Sequence, residues 1–328
     1  MSGIEFQTGT FTNIQINNIT LVNIGSNGIT LYNENSNNSA ITISNVIVRD
    51  FGIKYSESSA IDLRGPISIC SISISSPTSL LDGKYPIGIF IHGNDPDSRS
   101  TIANVHVEYL DKFLVVEPGD TQLCVSNALA RNCKIGFQIE GNNCKFCNCS
   151  ILIDAGQVGD GYNLTNCTNC AFVNCYYMNM NYVSMDTSSA WTFTDGSDCF
   201  LCNCDVVNGY YGFRRVAGDG GHVLQNCRTK GTGIPFSPGT GTDSLLNCAM
   251  STTNGNKIGQ VGNEFKVEVL DTAGDIRLKS KNGVVVDSPK MVLSNSQVLS
   301  TTAGSLSGQY LTLNVNNIDY KIQLYNTT

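Results

Sequence analysis

An Asn held in a fixed apolar register recurs along this 328-residue chain and constrains its fold more tightly than any other feature. The fullest copy is Cys199-Phe200-Leu201-Cys202-Asn203-Cys204-Asp205-Val206, with apolar side chains at positions −4, −2, +1 and +3 from Asn203. The register repeats around Asn148, Asn174, Asn226 and Asn247, and earlier around Asn18, Asn45, Asn104 and Asn127. A tenth copy has Ser71 in place of Asn. Ten copies between Asn18 and Asn247 give a mean spacing of about 25 residues, a period that signals a solenoid and outranks local readings.

Alternation by two marks a strand with one buried face. The slip from −2 to +1 means that the chain bends at the Asn and resumes with the same face inward. Asn tolerates the left-handed backbone such a bend needs, and its amide can bond the Asn above and below. The spacing therefore predicts one continuous Asn stack, with Asn148, Asn174, Asn203 and Asn226 expected to be buried within it.

Stacked Asn at successive bends resembles the right-handed parallel β-helix of the pectate-lyase-like superfamily, over roughly residues 10–255. The expected fold is all-β: a β-helix of about ten rungs over residues 16–255, preceded by a segment 1–15 and followed by a small β-rich module, 256–328. That segment holds Ile4, Phe6, Phe11 and Ile14 but no amphipathic capping helix, so it covers the open end, a partner does, or the chain is part of something longer. In the terminal module, runs such as Phe265–Leu270 lack the repeat, and Asn316-Asn317-Ile318-Asp319 between two strand-like runs reads as a hairpin. The ending Ser305–Tyr325 resembles terminal modules of phage and large-DNA-virus fibre proteins, and the whole layout resembles a viral tailspike. Such a resemblance implies a homotrimer. The apolar faces of Val267, Val269, Leu311, Leu313, Ile322 and Leu324 exceed what so small a module buries alone, while three copies bury them mutually.

Charged residues make up only 14% of the chain, and the net charge of −7 gives no general basic surface for nucleic acid. No run of 18 apolar residues suggests a membrane span, and the N-terminus lacks the pattern of a signal peptide. The fourteen cysteines admit disulfide or zinc readings, the latter through Cys144-x-x-Cys147 and Cys199-x-x-Cys202. Register favours another role. Cys149, Cys175, Cys204, Cys227 and Cys248 take position +1, where Ile19, Val46, Ile72 and Val105 stand in earlier copies. Cys144, Cys170 and Cys199 take position −4. Cysteine thus replaces aliphatic residues in two interior columns, with no metal and no cofactor expected, and so many free thiols favour assembly in a reducing cytosol.

A second strand per repeat begins at Gly28, Ala60, Gly88, Gly136, Gly161, Ala190, Gly212 and Gly233. Insertions collect on one corner, at 75–86, 154–160 and 178–189, where solenoids commonly build binding surfaces. Tyr176, Tyr182 and Trp191 lie on or beside the third, and aromatics there either stack on sugars or pack a long loop.

Aligning the second strands places Arg64, His92 and Glu140 in one outward column, with Glu117 one step offset before Pro118-Gly119. Adjacent rungs stand about 4.8 Å apart, so Glu117 and Glu140 are candidate catalytic carboxylates at the spacing of a retaining glycosidase. Arg64 and His92 are candidates to hold a uronic or sialic carboxylate. Against this stands the ordinary reading of four charged residues as a solvated face, with Asp62 and Arg64 a surface pair. Arg214-Arg215 reads as a solvent-facing pair or an anion contact, and His222 as an interior histidine.

The expectation is a non-enzymatic virion surface or fibre protein, assembled in the host cytoplasm, that displays loops for attachment to a host-surface glycan. The alternative is a polysaccharide-cleaving spike, and whether the protein is an enzyme stays open.

Overall fold

The computed structural model describes residues 3–6, 12–31, 40–55, 58–77, 85–92, 99–119, 122–180, 188–217, 220–237, 242–252, 305–315 and 318–326. Every described element is a strand, from β1 (Ile4–Glu5) to β27 (Ile318–Asn326), numbered in chain order. The chain divides into two units, Met1–Lys266 and Val267–Thr328.

The first unit is a parallel β-solenoid of about eight turns. That is somewhat fewer than the ten expected rungs. A ten-stranded sheet runs β1-β3-β5-β7-β9-β11-β14-β17-β20-β23, and a larger sheet stacks the strands that carry the Asn register. Within these two sheets every pairing is parallel and joins one turn to the next; β1, for example, pairs with β3 (Ile29–Leu31).

All ten register positions, Ser71 included, have positive φ between 52° and 59°. The bend inferred from the apolar slip is therefore a left-handed residue. Asn127, Asn148, Asn174 and Asn203 each donate from Nδ2 to Oδ1 of the preceding Asn, at 3.2, 3.2, 3.3 and 3.2 Å. Asn247 donates to Asn226 at 2.8 Å. The expected burial is corrected: Asn148, Asn174 and Asn203 are exposed and Asn226 half-buried. At a left-handed bend two successive side chains, −1 and 0, turn outward, and the interior keeps only −2 and +1. The ladder is a seam on the outside of the solenoid.

Further bends were not foreseen. Asn132, Asn143, Asn166, Asn169 and Asp198 also have positive φ. Each is followed by a buried cysteine: Cys133, Cys144, Cys167, Cys170 and Cys199. With the Asn-Cys pairs of the ladder, ten of the fourteen cysteines directly follow a left-handed Asn or Asp. The side chain after such a bend turns inward and lies near main-chain carbonyls of its own turn and of the preceding one. A thiol suits that place, being a compact hydrophobe with a weak donor. Cys175 Sγ lies 3.6 Å from the carbonyls of Phe146 and Val173, and Cys204 Sγ 3.5 Å from those of Phe172 and Cys202. All fourteen cysteines are unpaired by disulfides.

Inside, composition changes along the axis. One column reads Ile29, Ile61, Ile89 and Leu114, then turns aromatic at Phe137, Tyr162, Trp191 and Phe213. Stacked rings join Phe137 to Tyr162 at 4.8 Å between centroids, Tyr162 to Trp191 at 4.6 Å, and Trp191 to Phe213 at 5.1 Å. Small residues opposite make room: a side chain on Gly161 would collide with the Ala190 carbonyl and the Tyr177 ring. Trp191 is wholly buried, so this candidate sugar contact is an interior residue, out of reach of a glycan.

Two strand assignments differ from expectation. β9 (Lys112–Gly119) is a full member of the ten-stranded sheet, although Phe113 stands in the column otherwise filled by Gly28, Gly88 and Gly136. At the other end Ile234 pairs with Tyr211 and Phe236 with Phe213, which sets Pro235, not Gly233, beside Gly212.

The interior ends in charge. Arg215, taken from the sequence as half of a solvent-facing pair, is 4% exposed and bonds Asp243 at 3.0 Å. Alternation explains it, since Phe213 points inward, Arg214 outward and Arg215 inward again. Arg214 stacks over the Tyr211 ring at 4.5 Å. His222 is interior as expected, its Nδ1 accepting from the Cys199 amide at 3.3 Å.

In the second unit, β26 (Ser305–Val315) and β27 form an antiparallel hairpin with Val315 opposite Ile318, as the turn residues indicated. The expected strands between 263 and 304 lie outside the described residues.

Candidate functional site

Four neighbouring strands of the ten-stranded sheet build the site: β5 (Ser59–Leu63), β7 (Ile87–Ile91), β9 and β11 (Ile135–Gly141). Their register aligns Asp62, Phe90, Val115 and Gln138 in one outward column. The next outward position holds Arg64, His92, Glu117 and Glu140. Between Ile139 and Gly141 the register shifts, so that Glu117 and Pro118 of β9 stand opposite Glu140 alone. This is a β-bulge, and Pro fits there because it has no amide to offer the ladder. The one-residue offset seen in the sequence is this bulge, which turns the Glu117 side chain toward the preceding rung.

There Glu117 meets His92. Oε2 of Glu117 lies 3.0 Å from His92 Nδ1, and Asp62 Oδ1 lies 2.7 Å from His92 Nε2. Asp62 is fixed in turn, because Asn27 Nδ2 donates to its other oxygen at 3.1 Å while Asn27 Oδ1 accepts from the Ser59 amide at 2.9 Å. With a carboxylate at each ring nitrogen, only the imidazolium can donate to both. Burial works against that charge, but the hydrogen bonds and fields of Asp62 and then Glu117 outweigh it and raise the His92 pKa above its ordinary value. The Phe90 ring packs on the imidazole with centroids 4.3 Å apart. Asp62 is thus the partner of His92 rather than half of a pair with Arg64.

Glu140 is held differently, its Oε1 accepting from Gln138 Nε2 at 3.3 Å. Both glutamates line one open cleft of about 530 Å³ with Gln138, Tyr85, Phe90, Asp111 and Lys112. Ile87, Val115 and Pro118 add apolar surface. At its edge Lys134 Nζ lies 5.1 Å from the centre of the Tyr85 ring and 3.1 Å from Asp111 Oδ1.

The structure therefore brings Glu117, Glu140 and His92 together, with Arg64 one rung beyond His92 and outside the cleft lining. It does not bring the aromatic candidates there. Tyr176, on the other sheet, is half-buried and donates to Met178 Sδ at 3.2 Å; Tyr182 lies outside the described residues. Tyr85, Phe90 and Gln138 were missed. Tyr85 follows an insertion whose path the repeat does not set, while Phe90 and Gln138 were legible as outward neighbours of the glutamate column.

Burial pushes the Cys133 thiol up to about 12. Among the described residues no group of three or more His, Cys, Asp or Glu is placed to hold a metal ion. No described helix is long and apolar enough to cross a membrane. Comparison with known proteins yields no matching family, no similar curated protein and no similar solved structure.

Proposed function

We propose that this protein is a glycan-binding surface protein of the spike or fibre type, and that it holds its ligand in the cleft between Tyr85 and Glu140. The carrying observation is the make-up of that cleft. Two rings and an apolar floor lie beside Glu117, Gln138 and Glu140, which matches a sugar with one apolar ring face and a rim of hydroxyls. The parallel scaffold supports the reading because it fixes Phe90, Glu117, Gln138 and Glu140 on three hydrogen-bonded strands. Retention of the full chain on a glycan array, lost in Tyr85→Ala and Phe90→Ala variants of unchanged circular dichroism, is the expected result. No retention on any surface glycan would sink the proposal.

Weak single sites suit a multivalent carrier, and we assign the chain to a virion surface as a homotrimer joined through residues 256–328. The hairpin favours this, since two strands alone are marginally stable in water. Its register sets Leu311 opposite Ile322 and Leu313 opposite Tyr320. Light scattering at micromolar concentration tests it, a monomer being the adverse outcome.

A second reading, cleavage of a polysaccharide, has one observation in its favour: Glu117 and Glu140 share the cleft. A reducing-end assay on bound glycans decides it, with Glu117→Gln and Glu140→Gln as controls.

A further inference from the structure

We infer that the glycan taken by this cleft carries free amino groups, so that the ligand is an amino-sugar polymer rather than a uronic- or sialic-acid one. The inference rests on the glycan-binding reading and adds the charge of the ligand. The lining holds three carboxylates, Asp111, Glu117 and Glu140, of which Lys134 pairs with Asp111 and His92 with Glu117. His92, the residue best suited by type to hold an acidic sugar, has both ring nitrogens engaged by Asp62 and Glu117. Among the described residues no Lys, Arg or His pairs with Glu140. A ligand carboxylate would meet repulsion there, while an ammonium would meet a half-buried carboxylate that Gln138 bonds and no cation neutralises.

The protein itself shows how this cleft receives a cation. The Lys134 ammonium lies over the Tyr85 ring and bonds Asp111, joining a cation–π contact to an ion pair. Phe90 with Glu117 and Glu140 repeats that pairing of ring and carboxylate further along the same lining. A pyranose whose apolar face covers Phe90 would bring an amino substituent to the glutamates. The carboxylates would then select by charge, and the rings by shape.

The test titrates the full chain, by calorimetry at low salt, with three oligosaccharides of equal length: a glucosamine oligomer, its fully N-acetylated form, and an oligogalacturonate. The glucosamine oligomer should bind most tightly, weaken in 0.5 M salt as ion pairs are screened, and lose roughly tenfold in Glu140→Gln. Asp205→Asn, an isosteric change on the other sheet, should leave binding unchanged. Equal loss in that variant would mean diffuse attraction to an acidic protein and would overturn the inference. Equal or tighter binding of the acetylated or acidic oligomer would overturn it too, while leaving glycan binding intact. If none of the three oligomers binds and the array is also blank, the glycan reading itself has failed.

Discussion

Arg215 and Asp243 form an ion pair at 3.0 Å inside the solenoid, with side chains only 1% and 2% exposed. Nε and Nη2 of Arg215 have no hydrogen-bond partner among the described residues, and Asp243 Oδ1 also accepts from the His222 amide at 3.1 Å. Removing one member of a buried pair strands the other, at about 3–5 kcal/mol, whereas replacing both with apolar groups is often neutral. Urea denaturation should therefore show large losses in Arg215→Met and in Asp243→Leu, and recovery in the double variant. Additive losses would mean that the two side chains do not act as a pair.

His222 gives the same region a pH dependence. Burial, with the neighbouring Arg215 charge, lowers its pKa to about 4, against about 6.5 in an unfolded chain. Below about 6.5 the unfolded state binds the proton first, so stability falls as pH drops from there toward about 4. His222→Leu should flatten that slope in thermal melts between pH 4 and 7. The raised pKa of Asp243, caused first by its burial, acts in the opposite direction and should remain in the variant.

His92 titrates with the other sign. Its folded pKa is raised, so its contribution is complete below about 6.5 and fades as pH rises through the folded value. Melting temperatures of the wild type and His92→Gln should converge as pH rises through that folded value. A gap that stays constant with pH would show that the imidazolium is not the species held between Asp62 and Glu117.

Trp191 is the only tryptophan and lies between Tyr162 and Phe213, with its Nε1 unpartnered. Its emission should be blue-shifted and should report core melting directly. Trp191→Ala should cost about 3–5 kcal/mol through the cavity it leaves. Trp191→Phe should cost much less, since it keeps a ring in the stack and removes an unpaired donor.

Asn203 tests the outer seam. With φ at 53° and its amide bonded to Asn174, Asn203→Ala should lose about 1–2 kcal/mol from backbone strain. Asn203→Gly should lose less, because glycine accepts that backbone freely. Equal losses in urea melts would shift the weight from the backbone to the amide ladder.

What the chain disclosed before its structure depended on periodicity. Spacing around Asn203 and its counterparts located every ladder bend, and substitution of Cys for Ile or Val identified two interior columns. The other bends escaped because the apolar pattern was read only relative to the ladder, although Asn132-Cys133, Asn166-Cys167 and Asn169-Cys170 repeat the dipeptide seen at Asn203-Cys204. β9 escaped because Phe113 occupies a column of small residues. The partnership of Asp62 with His92 joins residues from different rungs, and loop lengths of no fixed size separate them along the chain. Placing Asn148 inside was an error of a different kind: alternation gives the phase of a strand, but a bend lets two side chains leave the interior in succession.

The change of interior along the axis, from aliphatic to aromatic to ionic, gives the solenoid a direction of unravelling. Each turn rests only on its neighbours, so opening can start at an end and travel inward turn by turn. The turns holding Arg215, His222 and Asp243 bury charge where the others bury rings or methyl groups, which makes that end the one to fray first. Amides near Leu224 should then exchange with solvent before those of the ring-filled turns around Tyr162, and the strands that carry the cleft near Glu117, further still from the weak end, should stay intact until late.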